Sequence, residues 1–112
     1  MEVKDYSFGR IEIDGKEFCY DIVIDEYSNE LRKWIREESH NVFPEDLIEV
    51  KNRKPNIVII GTGNSGQMNV SEKAKDFIKS LDAKLIIEKT PNAIEKYNKE
   101  KGKKIGLFHL TC

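Results

Sequence analysis

Between Pro55 and Gly66 the chain reads Asn56-Ile57-Val58-Ile59-Ile60-Gly61-Thr62-Gly63-Asn64-Ser65-Gly66. Four branched aliphatic residues in succession show no polar alternation. A strand with that composition needs cover on both of its faces. The glycines that follow end it abruptly, as a turn with unusual backbone angles does. A second apolar run, Lys84-Leu85-Ile86-Ile87, and a third from Ile105 to Leu110 lie further on. The stretches between them have helical periodicity. One carries Ala74, Phe77, Ile78 and Leu81 on one face, with Ser71 as its expected N-cap. The other carries Ala93, Ile94 and Tyr97, with Thr90 as expected N-cap and Pro91 at the first helical position. Gly102 reads as its stop. Strand and helix alternate here as they do in α/β units.

The first half is built differently. Ile11 and Ile13 alternate with charge, which marks a half-buried strand. Asp14-Gly15 is a two-residue hairpin signal, and Phe18 to Ile24 reads as one return strand. Residues 25–43 show no clear period; Leu31, Trp34 and Ile35 suit a short helix or an irregular strand, and Ser39-His40-Asn41 reads as loop. Pro44 fits the first turn of a helix that Pro55 closes. At 112 residues the chain is one domain, 1–112. The fold expected is α/β, with an N-terminal β-hairpin and helices packed on a sheet.

Gly61-x-Gly63-x-x-Gly66 after a strand matches a dinucleotide fingerprint, and Glu88 stands 22 residues beyond Gly66. The expected helix starts several residues too late for that use, and only half of such a domain is present. The remaining readings are a turn needing Gly for backbone reasons, and a cradle for a small anion. The anion reading takes Gly61, Thr62, Gly63, Gly66 and Thr90 as ligand-binding candidates, because turns and helix starts expose unpaired N–H groups.

His40 and His109 are further candidates. On a regular strand His109 and Thr111 share a face while Cys112 points away, which disfavours a Cys112–His109 pair. A zinc site would have to gather Cys19, His40, His109 and Cys112 from four separate places, none with finger-like spacing. No metal site, cofactor or catalytic set is therefore expected. The lysines Lys96, Lys99, Lys101, Lys103 and Lys104 read as a solvated helix end.

Formal net charge is -1, so nothing points to nucleic acid or to an anionic membrane. The two halves differ, however. Residues 1–49 hold 14 acids and 6 bases, net -8; residues 50–112 hold 6 acids and 13 bases, net +7. Two differently charged faces of one solvated surface account for this split; the functional alternative is self-association or a charged protein partner. Tyr27 and Trp34, in the segment without a period, are the candidate interface anchors, although core or cover is the more common role for a residue such as Trp34. Met1 to Arg10 has no apolar core of signal-peptide type, and no apolar run approaches the roughly 20 residues of a membrane helix. The cytoplasm, with Cys19 and Cys112 reduced, is the expected setting.

Phe8-Gly9, Ser39-His40, Ile59-Ile60-Gly61-Thr62-Gly63, Thr90-x-x-Ala93-x-x-x-Tyr97-Asn98 and His109-Leu110-Thr111-Cys112, in that order, resemble one family. It is the small domain of unknown function first seen in a methanogenic archaeon. Its relatives include a mitochondrial complex I assembly factor and an adipogenesis-associated protein. The resemblance covers nearly the whole chain and implies a three-layer fold with a mixed central sheet. It implies no enzymatic activity. The leading expectation is a non-enzymatic interaction or assembly module; a binder of a small anionic ligand at Gly61–Gly66 and Thr90 is the alternative, and an enzyme using His40 or His109 stands third.

Overall fold

The computed structural model describes all residues, Met1–Cys112. In chain order its elements are β1 (Val3–Ser7), β2 (Arg10–Ile13), β3 (Lys16–Phe18), β4 (Ile22–Asp25), β5 (Glu30–Lys33) and β6 (Asn41–Val42). A 3₁₀ turn (Pro44–Asp46) and α1 (Ile48–Arg53) follow. Then come β7 (Ile57–Thr62), β8 (Asn69–Val70), α2 (Glu72–Ser80), β9 (Lys84–Glu88), α3 (Thr90–Lys99) and β10 (Lys104–His109).

The central sheet has the order β5-β4-β10-β7-β9. It is mixed: β10 lies parallel to β7 and antiparallel to β4, and β9 lies parallel to β7. Every residue of β7 and β10 is buried, as the unbroken apolar runs require. Side chains alternate between two cores. Val58, Ile60, Ile105 and Leu107 join Val50, Ala74 and Ile78 on the side of α1 and α2. Ile57, Ile59 and Phe108 join Ala93 and Tyr97 of α3, and Ile11 and Ile13 of the small β1-β2-β3 sheet, on the other side. The layers are thus helices, sheet, and a mixed layer of α3 with the N-terminal strands.

The Asp14-Gly15 turn is present, with φ of 49° and 85°, but the strand after it is not continuous. It breaks at Cys19-Tyr20-Asp21. Lys16–Phe18 pairs with β2, whereas Ile22–Asp25 crosses to the central sheet and pairs with β10. Burial drives the break: Ile22, Val23, Ile24 and Asp25 all lose solvent contact, which a strand on an outer hairpin does not. A strand absent from the sequence reading, β1, pairs with β2. Asn98 of α3 pins it, accepting from the Val3 amide at 3.0 Å and donating to the Val3 carbonyl at 2.8 Å.

The unpatterned segment contains β5, which returns along β4. The helix expected after Pro44 splits at Leu47 into the 3₁₀ turn and α1. Ser71 caps α2 as anticipated, accepting from the Ala74 amide at 3.1 Å. Thr90 does not cap α3. Lys89 holds the N-cap position, Thr90 is the first helical residue, and its hydroxyl is engaged inside the sheet. Lys104 also departs from the solvated cluster expected of it. It is buried, and its ammonium donates to the carbonyls of Tyr97 and Glu100 at the end of α3. A cation there offsets unpaired carbonyls and the negative end of the helix dipole.

Asp25 fixes the β4–β5 turn to α1. Fully buried, it accepts at Oδ1 from the amides of Tyr27 (3.0 Å) and Ser28 (3.4 Å). Its Oδ2 accepts from Arg32 and Arg53, both at 3.1 Å. Burial pushes the carboxyl's pKa up, but these donors outweigh it and hold the group below the ordinary carboxylate range. Asp25→Ala leaves two amides without acceptors while the half-buried arginines turn to water. Urea unfolding should therefore show a loss of about 2–3 kcal/mol, against less than about 1 kcal/mol for Arg32→Ala.

Candidate functional site

The carboxyl ends of β7, β9 and β10 meet at one edge of the sheet, where open α/β folds place their sites. Thr62 stands opposite His109 and Gly61 opposite Glu88. The Gly-rich turn leaves from this edge, and the segment 110–112 folds back across it. Gly63 has φ of 107°, and a Cβ on it would lie 2.5 Å from both the Thr111 oxygen and the Cys112 carbonyl carbon. At Gly61 a Cβ would meet the Thr90 hydroxyl at 2.8 Å and the Phe108 ring at 2.9 Å. Both positions exclude side chains because chain and ring approach so closely.

Most of the turn's backbone donors bond within the protein. The Gly63 amide donates to Thr90 Oγ1 (2.9 Å), which itself donates to the His109 carbonyl (2.6 Å). Asn64 donates to the Thr111 carbonyl (2.9 Å), Gln67 to that of Cys112 (3.1 Å), and both Gly66 and Thr90 to that of Gly63. Thr62 Oγ1 donates to the Glu88 carbonyl. Gly66 faces the Lys89 side chain. An anion cradle uses free N–H groups, and here the amides of Gly63, Asn64, Gly66, Gln67 and Thr90 already have partners within the chain. Two of them, Asn64 and Gln67, hold the 111–112 segment.

What the edge does assemble is a polar cluster. Asp21, in the break between β3 and β4, accepts at Oδ2 from Arg36 (2.7 Å) and from His109 Nδ1 (2.7 Å). Its Oδ1 accepts from the Leu110 amide (2.8 Å). Burial pushes the Asp21 pKa up, but these bonds outweigh it and keep the group below the ordinary carboxylate range. The ionised carboxylate faces Nδ1 of His109, as does the Arg36 guanidinium at 3.4 Å. Nε2 is buried and without a hydrogen-bond partner. His109 is 3% exposed. The Arg36 side chain, 4% exposed, packs its guanidinium 4.4 Å from the centre of the Trp34 indole and donates to the Ser39 carbonyl at 2.9 Å.

His40 stands beside this cluster, its ring 6.0 Å from that of His109 and edge-on to it. Parallel pairing of β6 with β8, and donation from the Asn69 amide to the His40 carbonyl (2.7 Å), hold it there. Cys112 arrives from the other direction. The strand ends at His109 and Cys112 has φ of 22°, so the regular alternation that would turn its side chain away does not apply. One ligand atom from each of His40, His109 and Cys112 lies within 4.8 Å of the others. The expectation that these residues stay scattered is thereby corrected; Cys19 alone remains apart, exposed near Glu17. Asp21 and Arg36 escaped the sequence reading. The only trace of Asp21 was a charge directly before the buried run Ile22-Val23-Ile24.

The interface candidates separate. Trp34 is 5% exposed and donates from Nε1 to the Asp46 carbonyl at 3.0 Å, so it is a core residue and no docking anchor. Tyr27 is half-buried, and its hydroxyl bridges the Asn56 amide and the Lys103 carbonyl. The apolar side chains that do reach solvent next to Trp34 are Ile35, 77% exposed, and Ile48, 59% exposed. They flank one shallow groove with Lys33, Glu45 and Glu49 around it.

Two outcomes follow from this geometry. Gly63→Ala should lower stability by roughly 1–3 kcal/mol, since a positive φ and a backbone clash coincide, while Ser65→Ala should leave it nearly unchanged. Chemical denaturation measures both. The second concerns acid. The folded pKa of Asp21 lies below its unfolded value near about 3.9, so its ionised form stabilises the fold above that pH. That contribution fades as pH falls from there through the folded value. Asp21→Asn should therefore lower Tm at neutral pH and make its decline on acidification shallower than in the parent, as calorimetry across the acid range would show.

Among solved structures, the conserved hypothetical protein PH1505 from Pyrococcus horikoshii OT3 is 27% identical, with a TM-score of 0.87 and all of both chains covered. MT938 is 26% identical, with a TM-score of 0.83 over 99% of this chain and 98% of the other. A Mth938-like domain protein from Bordetella pertussis shares the fold at 14% identity and a TM-score of 0.72, over 97% of this chain and 85% of its own. No helix is long and apolar enough to cross a membrane. Residues 3–108 match the family described as "Protein of unknown function (DUF498/DUF598)", and the chain belongs to that family.

Proposed function

We propose that this protein is an interaction module whose docking face is the groove between Ile35 and Ile48, and that its partner presents a basic, amphipathic segment. The observation that carries this reading is the pair of isoleucines, 77% and 59% exposed, on either side of one groove. Large aliphatic side chains left in water side by side mark binding surfaces more often than scattered ones do. Their surroundings give the sign of the partner. Glu45 and Glu49 rim the groove, and Glu37 lies beyond Ile35. Many other surface acids are spent locally: Glu72, Glu88, Glu95 and Glu100 each pair with a lysine. Glu37, Glu45 and Glu49 are in no salt bridge, and around this groove they outnumber Lys33. Such a field steers encounter and selects cationic partners. The assembly-factor relatives implied by the sequence resemblance agree with a role in bringing chains together, and on this reading the protein works in the cytoplasm with both thiols reduced.

The test is site-specific photo-crosslinking in cells from position 35, from position 48, and from position 101 on the opposite half of the chain. Adducts with one protein from 35 and 48 only, abolished by the combined Glu37→Lys, Glu45→Lys and Glu49→Lys changes, are the expected result. Equal labelling from all three positions ends the proposal. Sedimentation at low and high salt separates a second copy of the chain from a different partner.

A further inference from the structure

We infer that His40, His109 and Cys112 form a binding site for a zinc-class divalent metal ion, with Asp21 orienting His109 from behind. This stands apart from the docking face and on different observations. Two imidazoles and a thiol are the donors that borderline-soft metals prefer. One donor atom from each already lies within 4.8 Å of the other two. In a tetrahedral site with Zn–N of about 2.0–2.1 Å and Zn–S of about 2.3 Å, such atoms stand about 3.3–3.6 Å apart. The remaining closure of about 1 Å falls to His40, which is exposed, and to Cys112, which is half-buried. A rotamer change in an exposed side chain supplies a movement of that size.

The second, independent observation is at His109. Its Nδ1 is committed to Asp21 at 2.7 Å, and its Nε2 is buried with no partner in the protein. Buried polar atoms are normally satisfied, so this nitrogen calls for something the chain itself does not provide. Carboxylate behind, bare imidazole nitrogen in front, is the arrangement in which metal-binding histidines are held. Asp21 is itself held in place by Arg36 and by the Leu110 amide. Only three donors converge, so the fourth position of a bound ion is open to water or to another ligand. A thiolate and two neutral imidazoles leave a divalent ion with one net positive charge, next to the Asp21–Arg36 ion pair.

The test uses the untagged, reduced, chelator-stripped chain titrated with Co²⁺ and followed by absorption. One equivalent should produce the thiolate-to-cobalt charge-transfer band and the intense visible bands of tetrahedral cobalt, both removed by added Zn²⁺. Cys112→Ser should abolish the charge-transfer band, and Cys19→Ser should retain it. His40→Ala, a change at an exposed position that leaves the fold intact, should weaken binding at least tenfold. Asp21→Asn should weaken it about 10–100-fold while keeping the same spectrum, which a ligand substitution would not. No charge-transfer band in the parent at one equivalent overturns the inference. So does a band undiminished in Cys112→Ser, or affinity unchanged in His40→Ala.

Discussion

At Gly63 two stretches of backbone come so close that no side chain fits between them, and the carboxyl edge of the sheet is organised around that approach. The 110–112 segment can cross there only because position 63 carries hydrogen alone. Once across, it offers the Thr111 and Cys112 carbonyls to the amides of Asn64 and Gln67. The same crossing sets the end of β10, where the His109 carbonyl accepts from Thr90 and its ring reaches Asp21. A glycine-rich turn after a buried strand resembles a phosphate loop in sequence. Here the turn's close approach to the 110–112 segment serves packing, with the Asn64 and Gln67 amides bonded to that segment.

The parts legible in the sequence are those fixed by local periodicity. The run Ile57–Ile60 reveals a strand covered on both sides because burial of both faces leaves no polar alternation to find. Asp14-Gly15 reveals a turn because few residues tolerate positive φ, and Ser71 reveals a helix start because its hydroxyl bonds three residues ahead. What stayed hidden depends on contacts distant in sequence. Thr90 looks like a cap by every local rule, yet its hydroxyl serves Gly63 and His109, 27 and 19 residues away. The split of residues 16–25 between two sheets follows from pairing with β10, some 85 residues later. Trp34 reads as core or cover, but the Asp46 carbonyl that accepts from its indole is not legible in the sequence. Asp21 bonds to His109 and Leu110, 88 and 89 residues on, and no short motif records that.

The polar cluster shows how a fold can keep a charged group near its core. Asp21 loses solvation, which disfavours its ionised form, and three donors more than restore it. A carboxylate so held costs little to keep ionised, and it orders everything it touches. Asp25 repeats the device at the opposite end of β4. One four-residue strand is thereby pinned at both ends by ionised side chains, with hydrophobic burial along its length. Removing either anchor frees one end of the strand that separates β10 from the sheet edge at β5.

The two surfaces singled out above share one segment. Residues 34–40 run from the Trp34 indole, over which Arg36 stacks, past Ile35 on the docking face, to His40 beside His109. Arg36 is the joint. Its guanidinium touches the indole on one side and Asp21 on the other, and it holds the Ser39 carbonyl immediately before His40. A ligand that fixes His40 therefore restricts the same loop whose first residues line the apolar groove. Any occupant of either surface that binds only the folded arrangement stabilises that loop by mass action. If the groove and the metal cluster are occupied as proposed, linkage makes any coupling between them reciprocal: whatever a bound ion would contribute to docking at Ile35 and Ile48, docking would contribute equally to retention of the ion.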